Sequence, residues 1–172
     1  MYAINGKEID RYAKEARVSN LSSFVAYGNG DTIKGTTLKI KLPFMHKDKP
    51  KWFMDGKEIS SQNITSYQDK NGYRIGGYTR LINGKLNLFV NQSVSTSFGK
   101  TSTFTSFYIL LEAMRSVSYS NLKIILKDCP AALTQIDKEF IPTGWAKPKN
   151  KDVSINDYRA LIRIIKIYNA CN

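Results

Sequence analysis

Cations at helical spacing are the chemistry most plainly written in this chain. Arg159, Arg163 and Lys166 recur every three or four residues near its C-terminal end, so a helix would align them on one side. Tyr158, Leu161, Ile162, Ile165 and Tyr168 would form the apolar side of that helix. Just upstream, Lys147, Lys149 and Lys151 stand around Pro148 and Asn150, with Trp145 beside them. Such a basic ridge supplies ammonium and guanidinium groups for phosphate oxygens and one indole for stacking on a base. The same residues also read as a surface helix kept soluble by charge. The scarcity of acids around them favours binding.

Other chemistry-bearing residues lead less far. The stretch Pro43 to Glu58, PFMHKDKPKWFMDGKE, sets Phe44, Trp52 and Phe53 among lysines. Those aromatics either stack on bases or plug into a neighbouring core, and the second reading is preferred. His46, the sole histidine, sits among lysines and reads as an ordinary solvated side chain rather than a general base. Cys129 has no histidine nearby in sequence to activate it. Cys129 and Cys171 do not make a disulfide framework, and with no CxxC pair a structural zinc site is not expected. Gly99-Lys100-Thr101 lacks the preceding glycine of a phosphate-cradling loop.

Composition agrees with the ridge. The 172 residues carry 26 Lys and Arg against 14 Asp and Glu, a formal charge of +12. Such a surplus concentrates polyanions at the surface. The expected partner is nucleic acid, whether DNA, RNA or hybrid; an acidic protein satisfies the same physics, and no lipid-directed feature suggests a membrane. The polar N-terminus reads as no secretory signal, and no apolar run reaches the length of a membrane span. A cytoplasmic, intracellular location is therefore expected. The richness in Lys, Asn, Ile, Ser and Tyr suits an AT-rich genome, bacterial or phage.

The elements that must position these residues divide near residue 60. Before it, Ile4 to Val18 has a helical period, and strand-like runs cover Ser23 to Tyr27 and Thr36 to Leu42, with the turn Gly28 to Asp31 between them. Leu38, Ile40 and Leu42 alternate with Lys39 and Lys41, which sets the lysines on one face. Asp55-Gly56 marks another turn. The expected domains are thus a segment 1–60, a helix plus a β-hairpin, and a domain 61–172. In the latter a three-strand meander (Ile64 to Tyr67, Tyr73 to Leu81, Lys85 to Val90) precedes a helix from Ser102 to Val117. A buried strand from Leu122 to Leu126, a short helix from Pro130 to Lys138 and the final basic helix follow. Gly76-Gly77 reads as a bulge within the second strand and Asn83-Gly84 as a hairpin turn. The fold class is α+β.

Here a resemblance enters. NLKIILKDCPAALTQID resembles the fourth strand and following helix of the ribonuclease H family. EFIPTGWAKPKNKDVSINDYRALIRII is similar to the family's basic loop and next helix, with Gly144, Trp145, Lys147, Lys149, Lys151, Asn156 and Asp157 as the matching residues. The resemblance spans roughly 62–170 and implies a ribonuclease H-like core lacking its last elements. It implies carboxylates holding two divalent metals, Mg²⁺ or Mn²⁺, with Asp69 and Asp128 at two of the positions. Where the family needs a Glu the chain has Thr103, and the last acidic position has no counterpart. Asp69 also reads as a turn residue and Asp128 as the cap of a helix beginning at Cys129. The leading expectation is a non-catalytic protein that binds nucleic acid, preferring duplex, with weak sequence specificity. The alternatives are a metal-dependent nuclease using Asp69 and Asp128, and a phage or mobile-element inhibitor docking on an acidic host protein. No cofactor is expected outside the nuclease case.

Overall fold

Asn5 and Glu8 start the first element by capping each other. The Glu8 amide donates to Asn5 Oδ1 at 3.0 Å and the Asn5 amide to Glu8 Oε2 at 3.4 Å, which satisfies two amides at the helix start. The helix they open is α1, Gly6–Glu15. The computed structural model describes residues 4–18, 22–43, 49–97, 99–139 and 158–171. Within them the fold is α+β, and all paired strands run antiparallel. It falls into two compact units: one formed by residues 9–81, the other by 1–8 with 82–172. The segments on either side of residue 60 share the first of these units.

In the 9–81 unit, five strands lie in the order β8-β7-β6-β1-β2. They are β1 Ser23–Tyr27, β2 Thr32–Gly35, β6 Ile64–Asp69, β7 Gly72–Ile75 and β8 Tyr78–Ile82, whose last residue belongs to the other unit. The turn after Tyr27 closes the β1–β2 hairpin, with Ala26 opposite Thr32. The partner of β1 is therefore Thr32–Gly35 and not the run from Thr36. That run enters a separate three-stranded sheet, β3 Leu38–Lys41, β4 Lys51–Met54 and β5 Lys57–Ile59. Asp55 (φ 49°) and Gly56 (φ 83°) make its second hairpin turn, a conformation that suits Asp-Gly. Gly76-Gly77 is likewise a hairpin turn, with Ile75 opposite Tyr78, so the expected bulged strand is two strands. Val25, Leu38 and Met54 form a buried cluster, with Tyr27, Trp52, Ile59, Ile64 and Tyr67 packed against it. The end of α1 is fixed by Gln68, fully buried, whose Oε1 accepts the Val18 amide at 2.8 Å.

The other unit holds β9 Asn87–Ser97, β10 Lys100–Leu110, β11 Met114–Ser116, α2 Tyr119–Ile125, α3 Pro130–Glu139 and α4 Tyr158–Ala170. Two sequence expectations fail here. Ser102 to Val117 is not a helix: β10 pairs with β9 along its whole length, from Lys100↔Ser97 to Leu110↔Asn87. Phe104, Phe107 and Leu111 have helical spacing, but Phe104 and Leu111 are exposed and Ile109 is the core residue. Thr101, Thr103 and Thr105 are stiff β-branched residues that favour a pleated strand. Leu122 to Leu126 is not a fourth strand: Ser118 caps α2 by accepting the Asn121 amide at 3.2 Å. Leu122 and Leu126, one helical turn apart, are buried while Ile124 is 68% exposed. The expected helix is thus a strand, and the expected fourth strand a helix.

The final helix matches its expectation. Tyr158, Leu161, Ile162, Ile165 and Tyr168 are buried, with Ala160 and Ile164, and α4 packs on α3. Asn169 holds the loop before β9: its Oδ1 accepts the Leu86 amide at 2.7 Å and its Nδ2 donates to the Leu86 carbonyl at 3.0 Å. A Cβ on Gly84 would lie 2.4 Å from that Nδ2, so glycine at this position serves the clasp. Cys129 and Cys171, which the sequence reading left apart, are joined in a disulfide. No helix among the described residues is long and apolar enough to cross a membrane.

Candidate functional site

The sequence-expected acids occupy separate settings. Asp69 ends β6; its Oδ1 accepts the Asn71 amide at 2.8 Å and Arg74 Nη1 at 3.3 Å. It is the turn residue of its alternative reading, with a guanidinium beside it. Asp128 lies between α2 and α3. Its Oδ2 accepts Lys85 Nζ at 3.2 Å and the Tyr168 hydroxyl at 3.4 Å. The Lys85 ammonium holds the Asp128 carboxyl below the ordinary carboxylate range, and Asp128 in turn raises Lys85. Asp128 does not cap α3: that helix begins at Pro130, and the group accepting from the Ala132 amide is Cys129 Sγ, at 3.4 Å. No group of three or more potential metal ligands occurs among the described residues.

The ridge on α4 is present in outline and largely paired. Arg159, Arg163 and Lys166 are exposed, opposite the buried side. Arg163 donates through Nε (2.9 Å) and Nη2 (2.7 Å) to Glu139 Oε1. Arg159 Nη2 lies 3.4 Å from Glu8 Oε1, which also accepts the Tyr158 hydroxyl. That hydroxyl is the main reason the Glu8 carboxyl titrates below its usual range. Trp145, Lys147, Lys149, Lys151, Asn156 and Asp157 lie outside the described residues, as do Phe44 and His46.

A different basic surface is assembled by the three-stranded sheet. Alternation along β3 and β4 sends Leu38, Ile40, Trp52 and Met54 one way and Lys39, Lys41, Lys51 and Phe53 the other. The first set faces the core, where Trp52 meets Tyr67 edge-to-face at 4.8 Å between centroids. On the outer face Lys41 stands directly opposite Lys51, and Lys39 opposite Phe53. The Lys41 ammonium lies 4.9 Å above the Phe53 ring. Glu58, opposite Phe53 on β5, reaches Lys51 only at 3.9 Å with both side chains mostly exposed. Lys41, Lys49 and Lys51, with Pro43, Pro50 and Glu58, line a recess of about 450 Å³ at the end of this sheet.

Like charges directly opposite in a sheet repel, and one long, exposed ion pair offsets little of that. The outer face therefore carries largely uncompensated positive charge, with a half-buried aromatic ring between its cations. The alternation along β3 already sets Lys39 and Lys41 on one face, but the two neighbouring aromatics part, Trp52 to the core and Phe53 to the lysines. The missing signal was the β3–β4 register, which pairs positions ten or more residues apart.

No family model, curated protein or solved structure matches the chain.

Proposed function

We propose that this protein binds nucleic acid, chiefly through its phosphate backbone, and that the outer face of the β3-β4-β5 sheet is a principal contact. The observation that carries the reading is the cross-strand pair Lys41–Lys51, with Lys39 and Phe53 on the same face. A surface with so little acid is electrostatically costly alone and is relieved by a polyanion. Phe53 adds a ring on which a base of a single strand can stack. The +12 charge supplies long-range attraction. Binding without cleavage fits the placement of Asp69 against Arg74 and Asp128 against Lys85.

The test is fluorescence anisotropy with labelled single-stranded DNA, duplex DNA and RNA over a range of salt, with and without Mg²⁺ or Mn²⁺. Affinity is expected to fall steeply with salt. A Lys39/Lys41/Lys51 triple alanine variant is expected to stay folded and to lower the log–log slope by roughly 2 on single strands or roughly 3 on duplex. An unchanged slope in the folded variant would remove this face from the site. Metal-dependent cleavage would replace the binding-only reading, and no affinity for any of the three would favour the acidic-protein alternative.

A further inference from the structure

The β9–β10 ribbon projects well beyond the buried residues at its base. Leu88, Phe89, Val90 and Ile109 are buried there, whereas 92–97 and 100–104 are exposed. Its hydroxyls are sorted by face. The register puts Thr96, Thr101, Thr103 and Thr105 on the face of Leu88 and Val90, and Ser93, Ser95, Ser97, Ser102 and Ser106 on the other. Cross-strand contacts join the threonine face: Thr96 Oγ1 to Thr101 Oγ1 at 3.4 Å, and Gln92 Nε2 to Thr105 Oγ1 at 3.4 Å.

The outer edge of β10 is open. Strand β11 covers only Tyr108–Leu110, and beyond it the Val117 amide donates to the Phe107 carbonyl at 2.9 Å. That carbonyl points away from β9. By the period of two, Thr105, Thr103 and Thr101 aim their N–H and C=O groups outward as well, and among the described residues no strand pairs with them. Natural edges are blunted by charges, prolines or bulges. None occurs from Thr101 to Ser106, and the β9–β10 register runs unbroken.

We infer that this edge pairs with the same edge of a second copy, joining two ribbons into one antiparallel sheet across a two-fold axis at Thr103. Charge selects this occupant. Between Leu86 and Leu111 Lys100 is the sole charged residue, in a chain of formal charge +12. Two copies repel over most of their surface and approach at least cost here. Pairing Thr103 with its own copy sets Thr101 opposite the second copy's Thr105. All are outward residues, so each opposed pair exchanges both main-chain hydrogen bonds. It also sets Lys100 opposite the second copy's Ser106, which avoids a like-charge contact. The threonine faces then form one ladder of favourable cross-strand pairs.

The test is the mass of the full chain by light scattering, after nuclease treatment and in high salt, so that bound nucleic acid bridges nothing. A monomer–dimer equilibrium that rises with protein concentration is expected. Thr103→Lys sets two cations against each other on the axis and should give a monomer at every concentration, while Ser95→Lys, with the same charge on β9, should leave the dimer. Circular dichroism checks that both stay folded. Independently, Thr103→Cys should cross-link to itself under mild oxidation, since opposed residues of a hydrogen-bonded pair lie within disulfide reach, and Ser95→Cys should not. A monomer throughout, or a dimer that Thr103→Lys leaves intact together with no Thr103→Cys cross-link, would overturn the pairing.

Discussion

The outer face of the three-stranded sheet and the exposed side of α4 carry the same kind of charge and meet opposite neighbours. On α4, Arg163 is held by Glu139 and Arg159 lies against Glu8. On the sheet, Lys41 faces Lys51, and among the described residues the ion pair on this face is Lys51 with Glu58, at 3.9 Å. A tally of cations ranks α4 first; the contacts rank the sheet first. A guanidinium already bonded to a carboxylate must give up that partner to reach a phosphate, whereas opposed ammonium groups gain from one. The arginines of α4 read as fasteners of a buried helix, and the lysines of the sheet carry the proposed contact.

The comparison breaks most sharply at the disulfide. If α4 is scaffold, cutting its covalent tie should cost stability and spare binding. Cys129 and Cys171 are 42 residues apart, and closing a loop of that length restricts the unfolded chain by about 4 kcal/mol in the chain-entropy account. Cys171→Ser is therefore expected to lower unfolding free energy by about 2–5 kcal/mol in a denaturant titration. The salt slope of binding should stay unchanged under conditions where the variant is folded. An unaltered denaturation midpoint would mean that the bond does not anchor the helix. Disulfides persist in oxidising settings, which pulls against the cytoplasmic expectation. Trapping free thiols at the moment of cell lysis shows which state the protein holds.

Phe53 sharpens the sheet's half of the comparison. If a base stacks on it, Phe53→Ala should weaken binding to single strands by about 1–3 kcal/mol and change duplex binding much less. Trp52→Ala should instead unfold, by about 3–5 kcal/mol, because Trp52 packs against the Val25, Leu38 and Met54 cluster. Thermal midpoints and anisotropy on the same two variants separate the roles. Equal loss of affinity on single and double strands with Phe53→Ala would leave the lysines alone as the contact.

The α4 pairs predict a smaller effect. A double-mutant cycle of Arg163→Ala with Glu139→Gln should give a coupling of about 0.2–1 kcal/mol in stability, as exposed pairs do. Arg163→Ala alone should leave the salt slope of binding in place. A slope that falls with Arg163→Ala as much as with Lys41→Ala would return α4 to the binding surface and erase the distinction.

How much of this was readable before the fold is clear element by element. The α4 apolar side was legible because five apolar positions repeat at helical spacing over a long segment. The Asp55-Gly56 turn was legible because its backbone angles demand those residue types. The β9–β10 ribbon was not. Phe104, Phe107 and Leu111 fit a helix as well as chance allows, and only pairing with residues 87–97 makes 100–110 a strand. α2 was missed for the converse reason: a short apolar run fits strand or helix, and the Ser118 cap was the deciding signal. The basic face lay half in view, as lysines alternating along β3. Its other half comes from β4, across a register no local pattern encodes.

Acid and alkali should act on the ion pairs around α2, α3 and α4, and this is the finest of the tests. The Asp128 carboxyl is held down mainly by the Lys85 ammonium, the Asp137 carboxyl by Lys123 and Glu8 by the Tyr158 hydroxyl. A carboxyl depressed in the folded state contributes stability above its unfolded pKa and loses it as pH falls through the folded value. Lys85 and Lys123 are raised by the same contacts. Their contribution is whole below the ordinary lysine pKa and disappears as pH climbs through the raised one. Asp128, Asp137, Lys85 and Lys123 are surface groups, so their effects are small and weaken in salt. Asp128→Asn is expected to lower the thermal midpoint slightly at neutral pH and to converge with the parent chain in acid, where the parent loses the same contact. Nucleic-acid affinity should stay level or rise a little, since a negative charge has gone. A midpoint difference that persists undiminished into acid would show that Asp128 stabilises by something other than its charge, and a drop in affinity would place it at the binding surface after all.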